Sequence, residues 1–327
     1  MPAHTLLIME PAFQRLGAQI KKLAPQLAIL TMDNAGNFAL DGVTQPAAET
    51  APTLAWMGID LYGCPESQQF SDCVTKSATL QWVQTALAGV EAPIFKQLLD
   101  NGVRLSSSDA QAPSIGDFVV GSVIAHLQRY AHRRELQATR QWQPFQFREV
   151  GRTRWLIVGY GSIGQEVAKR VSGFGAEVVG IRRQPHADEW ATVMAPGELP
   201  AQLPNADIVV LACSLNDATR GLVDTAFLAQ MQSPSILVNV GRGALVVDAD
   251  LLAALDAGRV EHAILDVFDP EPLPENHPYW SHPSVLVGSH CSSFGDGMAD
   301  RGDALFLSNL QRFLADQPLH KEVRAIP

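Results

Sequence analysis

The sequence predicts an α/β protein made of two doubly wound parallel-sheet domains, one inserted in the other. Three observations carry that expectation. Over the first hundred residues short apolar runs alternate with polar, helix-compatible stretches, a second such series begins at Trp155, and the tail returns to helical spacing after the last strand-like run.

Taken in order, the first series comprises Leu6 to Met9, Leu27 to Thr31, Leu54 to Gly58, Leu80 to Thr85 and Val103 to Ser106. Strand-sized runs separated by helix-length intervals are what a parallel layer requires. Pro113-Ser114 then opens an amphipathic segment in which Ile115, Val119, Val123, Leu127 and Tyr130 recur every three or four residues, which predicts one connecting helix. After a Gln-rich stretch the second series runs through Trp155 to Val158, Glu177 to Ile181, Ile208 to Cys213, Ile236 to Val240, Ala263 to Val267 and Val285 to Gly288. Six strands with helical intervals predict a doubly wound sheet. The segment Asp303 to Leu314 is helix-like and is expected to fold back on the first domain.

Composition narrows the partners. The 327 residues carry 24 Lys and Arg against 34 Asp and Glu, a formal charge of −10, so no basic surplus is available for a phosphate backbone and nucleic acid is not an expected partner. No run reaches the roughly 18 to 20 apolar residues of a bilayer span, so no membrane partner is expected. The first residues, MPAHTLLIMEPAF, lack the basic start of an export signal, which leaves the cytoplasm as the expected compartment. Cys64, Cys73, Cys213 and Cys291 form no CxxC pair and read as free thiols. His277, His282, His290 and Cys291 cluster in sequence, but their spacing fits no common ligand pattern, so no metal is expected.

The strand RWLIV runs directly into GYGSIG and then into a helix-compatible segment, giving Gly159, Gly161 and Gly164 the GxGxxG spacing of a Rossmann dinucleotide site. Gly159 permits the turn, Gly161 lets the backbone approach a pyrophosphate, Gly164 lets helix and strand pack, and the amides of Ser162 and Ile163 are the natural donors. An NAD site normally places an acidic residue after the next strand; here AEVVGI is followed by Arg182-Arg183. A guanidinium binds a 2′-phosphate through paired charge-assisted bonds, each contributing roughly 1.5–3 kcal/mol, so NADP(H) is the preferred cofactor and NAD(H) the second candidate. Cys213 and Val240, each ending a strand, complete the expected cofactor wall.

Three later segments, VNVGRGALVVDADLLAAL, AILDVFDPEPLPENHPYW and VLVGSH, each offer one chemically useful side chain: Arg242, Glu271 and His290. Reducing a 2-oxo acid needs a cation for its carboxylate, an acid for the carbonyl oxygen and a group that orients that acid. A carboxylate beside an imidazole favours its charged form. Asp269 is the competing carboxylate and His282 the fallback histidine; Cys291 reads as a small wall group rather than a nucleophile.

With these segments in hand, the chain resembles the D-isomer-specific 2-hydroxyacid dehydrogenase family over most of its length. LQWVQTALAGVEAPIF resembles the family's substrate loop, VGYGSIGQEVAKR its dinucleotide loop, VNVGRGALV its arginine segment, and LDVFDPEPLP with GSH its acid and histidine segments. The resemblance implies that Arg242 binds and polarises the substrate carboxylate, that His290 is the general acid and that Glu271 hydrogen-bonds it. It further implies that Asp266 holds the nicotinamide carboxamide and that amides around Gly89 and Val90 hold the substrate. A flavodoxin-like substrate domain, 1–112 completed by 296–327, would surround a Rossmann domain at 113–295, commonly in a homodimer. Two departures stand out: Cys291-Ser292-Ser293 replaces an apolar, glycine-rich step, and IGDF replaces a VAE-like segment. The implied function is reduction of a small 2-oxo acid to a D-2-hydroxy acid, of the kind seen with glyoxylate or hydroxypyruvate. A formate dehydrogenase fits less well, because that relative carries glutamine where Glu271 stands. The alternative from another class is a non-catalytic dinucleotide-sensing corepressor or scaffold, which has no need of a proton-transfer set.

Overall fold

The computed structural model describes residues 4–324; residues 1–3 and 325–327, which fall within the expected first domain, lie outside the described residues. The chain divides into two compact units, Met1–Gln111 with Asp296–Pro327, and Ala112–Gly295.

In the first unit the strands are β1 (Thr5–Met9), β2 (Ala28–Met32), β3 (Phe38–Leu40), β4 (Val43–Gln45), β5 (Leu54–Met57), β6 (Trp82–Thr85) and β7 (Arg104–Ser106). Five of them pair in parallel in the order β2-β1-β5-β6-β7, the 2-1-3-4-5 arrangement of flavodoxin-like sheets. Helices cover both faces, so β1 is buried along Leu6, Leu7, Ile8 and Met9 and reads as a continuous apolar run. The sheet is not wholly parallel, however: β3 and β4 add an antiparallel hairpin to β2, and Glu322–Val323 pairs antiparallel with β7. The hairpin turns at Asp41-Gly42, both at positive φ (47° and 84°), the geometry that favours Asp-Gly. The helix Met298–Leu314 closes this unit, its Phe306 ring stacked on Trp56 and Trp82 at centroid distances of 5.0 and 6.0 Å. The tail helix thus packs into the core of the first sheet.

The second unit contains β8 (Arg154–Val158), β9 (Glu177–Ile181), β10 (Thr192–Met194), β11 (Ile208–Leu211), β12 (Ser235–Asn239), β13 (Val260–Leu265) and β14 (Val285–Val287). All seven are parallel, in the order β10-β9-β8-β11-β12-β13-β14, a Rossmann sheet with one further strand. The order reverses at β8, which places the glycine loop at the topological switch point. Six strands were expected; the seventh, β10, spans three residues at the sheet edge and carries no continuous buried run.

The single connecting helix is corrected to two. Ala112–Leu127 buries Ile115, Val119, Val123 and Leu127, but Arg129 adopts a left-handed backbone (φ 56°) and a second helix starts at Tyr130, whose side chain is 52% exposed. No helix among the described residues is long and apolar enough to cross a membrane.

Candidate active site

The functional side chains of the second unit sit where its parallel strands end. Gly159 follows β8 with φ 98°, and a Cβ there would stand 2.3 Å from the Cys213 amide nitrogen, so only glycine lets the turn pass beneath the end of β11. The amides of Gly159 and Tyr160 both donate to the Ile181 carbonyl (3.0 and 2.8 Å), tying the turn to β9. Gly161 then leads into the helix Ser162–Ser172, and the space a Cβ would fill at Gly161 is open. A turn whose backbone is exposed at the N-terminus of a helix is a fit for a pyrophosphate. Cys213 follows β11, its thiol pushed up by burial, which disfavours the thiolate form. Val240 is buried and donates its amide to the Leu211 carbonyl.

Arg182 and Arg183 leave the end of β9, Arg183 exposed and Arg182 half-buried with its amide on the Met194 carbonyl. Arg182 Nη1 approaches His186 Nε2 at 3.4 Å. Their loop is fastened by a residue the sequence reading passed over. The Tyr160 ring is buried, and its hydroxyl donates to Asp188 Oδ1 at 2.8 Å; burial, with that carboxylate in second place, raises the phenol and keeps it a donor.

On the other side of β8, Arg242 follows β12. Asn239 brackets its turn, accepting from the Gly241 amide (3.1 Å) and donating to the Arg242 carbonyl (2.9 Å), while Arg242 Nη1 donates to the Gly241 carbonyl (2.8 Å). A Cβ at Gly243 would stand 2.0 Å from the Phe268 carbonyl carbon, so the arginine turn presses directly on the loop after β13. That loop carries Glu271, whose Oε1 accepts from the Phe268 amide (2.8 Å) and whose Oε2 meets His290 Nδ1 at 2.7 Å. Glu271, not Asp269, is therefore the histidine's partner. With Nδ1 engaged, Nε2 is the remaining ring nitrogen, on a side chain half exposed to solvent.

His290 has a left-handed backbone (φ 51°), a conformation that needs support in a non-glycine residue. Asp266 provides it. Its carbonyl accepts from the His290 amide (2.8 Å), and its buried carboxylate accepts from the Cys291 and Ser292 amides and the Ser292 hydroxyl. The residue expected to reach a carboxamide spends both oxygens on the histidine loop, and Ser292, a departure from the family pattern, is part of that anchor. His282 is engaged elsewhere, with Asp256 Oδ1 (3.3 Å) and the Ser284 amide (3.1 Å). Among the described residues no cluster of His, Cys, Asp and Glu could hold a metal.

Gly89 and Val90 belong to the first unit, on the loop after β6. The root of that loop is braced by buried Gln84, which donates to the carbonyls of Thr85, Ser106 and Ser107 and accepts from buried Asn309 at 2.7 Å.

With this geometry in place, sequence and structure comparisons converge. The family model described as "D-isomer specific 2-hydroxyacid dehydrogenase, NAD binding domain" matches residues 120–292. The chain belongs to this family. Its members are NAD(P)-dependent oxidoreductases. The human protein named glyoxylate reductase/hydroxypyruvate reductase is 29% identical over 258 residues, covering 76% of this chain and 78% of that one. A Yersinia enterocolitica protein named glyoxylate/hydroxypyruvate reductase A is 32% identical over 178 residues, 54% of this chain and 57% of its own length. Among solved structures, a family protein from Aeromonas salmonicida matches with a TM-score of 0.78 at 26% identity, covering 99% of each chain. A Sinorhizobium meliloti NADPH-dependent glyoxylate/hydroxypyruvate reductase in complex with NADP and sulfate shares the fold at TM-score 0.76, 22% identity, and 98% and 97% coverage.

Proposed function

We propose that this chain is an NADPH-preferring reductase that converts a small 2-oxo acid, of the glyoxylate or hydroxypyruvate type, to a D-2-hydroxy acid. The observation that carries the reading is the Glu271–His290 contact of 2.7 Å, which leaves Nε2 as the free proton-transferring atom. Arg242 binds the substrate carboxylate and polarises the carbonyl. His290, held through Nδ1 by Glu271, gives its Nε2 proton to the carbonyl oxygen, and in the reverse direction Nε2 takes that proton back. When bound, the reduced nicotinamide supplies the hydride that reaches the carbonyl carbon. Gly159, Gly161, Ser162, Ile163 and Gly164 fit the pyrophosphate, Cys213 and Val240 wall the site, and Arg182 and Arg183 suit a 2′-phosphate. Asp266 we assign to holding the histidine loop, a role its filled hydrogen bonds support better than a carboxamide contact.

NADPH consumption with a panel of 2-oxo acids tests the reading. Turnover of a glyoxylate-like substrate, faster with NADPH than NADH, is expected; dinucleotide binding without turnover of any panel member would favour a sensor instead. The reading extends to a homodimer: Trp142 is fully exposed in a segment whose Phe145 lies under Arg129 and Arg133, at 5.0 and 4.8 Å. A large exposed aromatic beside such a cluster suits a second copy of this chain. Light scattering at twice the 35.4 kDa chain mass is the expected result. The free thiols Cys64, Cys73, Cys213 and Cys291 suit a reducing, cytoplasmic setting.

A further inference from the structure

We propose that Tyr160 and Asp188 are a positioning pair that fixes the Arg182–Arg183 loop against the glycine turn, and that this link sets the preference for a 2′-phosphorylated cofactor. The inference rests on the NADPH reading above and deepens it.

Tyr160 is the second residue of GYGSIG, so its backbone belongs to the turn that would meet the pyrophosphate. Its ring lies against Gly180 of β9, where a Cβ would stand 2.4 Å from it, and its hydroxyl reaches out to Asp188. The same Asp188 oxygen accepts the Trp190 amide at 2.8 Å, and Trp190 packs on the core beneath. At the near end of the loop, Arg182 is fixed to β10 through the Met194 carbonyl (3.0 Å). The segment from Arg182 to Trp190 is thus tied down at both ends, and the far tie runs through one side chain of the glycine turn. Residues 183–187 between the ties are exposed.

An exposed arginine held on an anchored loop gives more affinity to an anion than one that must be ordered at the moment of binding. NADPH would feel the anchoring through its 2′-phosphate, whereas NADH, lacking that group, would lose little. Loss of a hydrogen bond of this kind corresponds to about a fivefold to tenfold weakening. Tyr160 itself need not touch the phosphate.

Fluorescence titration of NADPH and of NADH into wild-type protein, Tyr160→Phe, Asp188→Ala, Asp188→Asn and the double variant Tyr160→Phe/Asp188→Ala tests this without requiring turnover. Tyr160→Phe and Asp188→Ala are expected to weaken NADPH about fivefold to tenfold and NADH less than twofold. The double variant should be no weaker than Asp188→Ala, and Asp188→Asn, which keeps an acceptor oxygen, should stay near wild type. Equal weakening of both cofactors, or an unchanged NADPH-to-NADH ratio, overturns the pair. A wild-type protein that binds both cofactors alike overturns the arginine reading first and the pair with it. Because Asp188 lies outside the hydrophobic core, Asp188→Ala remains informative if Tyr160→Phe folds poorly.

Discussion

The two flanks of the second unit's sheet hold their charged groups in opposite ways. Past β8 and β9, Arg183 is exposed, and its loop hangs from a few ties at Met194 and Tyr160. Past β12, β13 and β14, each group is braced by backbone: Arg242 by the Asn239 turn, Glu271 by the Phe268 amide, and His290 by Asp266 on both sides of its chain. The difference teaches what each chemistry demands. A phosphate contact as proposed for Arg183 is set by how a few ties order its loop, whereas the proton transfer proposed for His290 would lose orders of magnitude to a misplacement of about an ångström.

The contrast can be broken most sharply at His290. His290→Ala is expected to lower kcat by about 10²–10⁴-fold while leaving NADPH affinity within about twofold, measured by steady-state assay and cofactor fluorescence. Full activity would move the role to His282. Next in size is Gly243→Ala, which forces a methyl into the Phe268 backbone; a stability loss of about 2–4 kcal/mol by urea unfolding is expected, and no loss would mean the two loops are not in contact. On the opposite flank, Arg183→Ala should reduce the NADPH-to-NADH preference about tenfold with kcat nearly constant. An unchanged ratio would end the argument for a 2′-phosphate.

The smallest effect concerns a region remote from both flanks. His262, at the other end of β13, stacks on His126 at 4.2 Å, and burial first, then that neighbour, lowers it to about 4. Because the unfolded histidine titrates near 6.5, the unfolded chain holds the extra proton between those values, so stability falls as pH drops from about 6.5 to 4 and not above. His262→Leu should remove that acid-side loss from a plot of Tm against pH. A Tm profile identical in the variant would assign the acid sensitivity elsewhere.

The parallel strands were legible because burial on both faces writes them as unbroken apolar runs, as in Ile208–Leu211 and Leu54–Met57. The glycine turn was legible because its spacing follows from the close backbone contact at Gly159, whereas Arg242, Glu271 and His290 stood out only as the chemically useful side chains of three strand-end segments in the family's order. What escaped was short or exposed: β10, the β3–β4 hairpin, and the break at Arg129. The Asp41-Gly42 pair did mark the hairpin. No spacing rule marks the Tyr160–Asp188 bond, whose partners stand 28 residues apart and meet only because β8 and β9 are neighbours. Asn239 carried a faint signal, as an Asn two residues before a Gly at a strand end.

The seating of Phe306 between Trp56 and Trp82 also bears on how the chain is made. On a ribosome adding about 5–20 residues per second, the first sheet emerges early but waits for roughly 200 further residues before its sealing helix appears, a delay of about 10–40 s. The inserted unit is meanwhile synthesised whole and can fold at once. The nascent protein therefore matures from the middle outward, with its opening strands the last to be sealed and the part most in need of protection during translation.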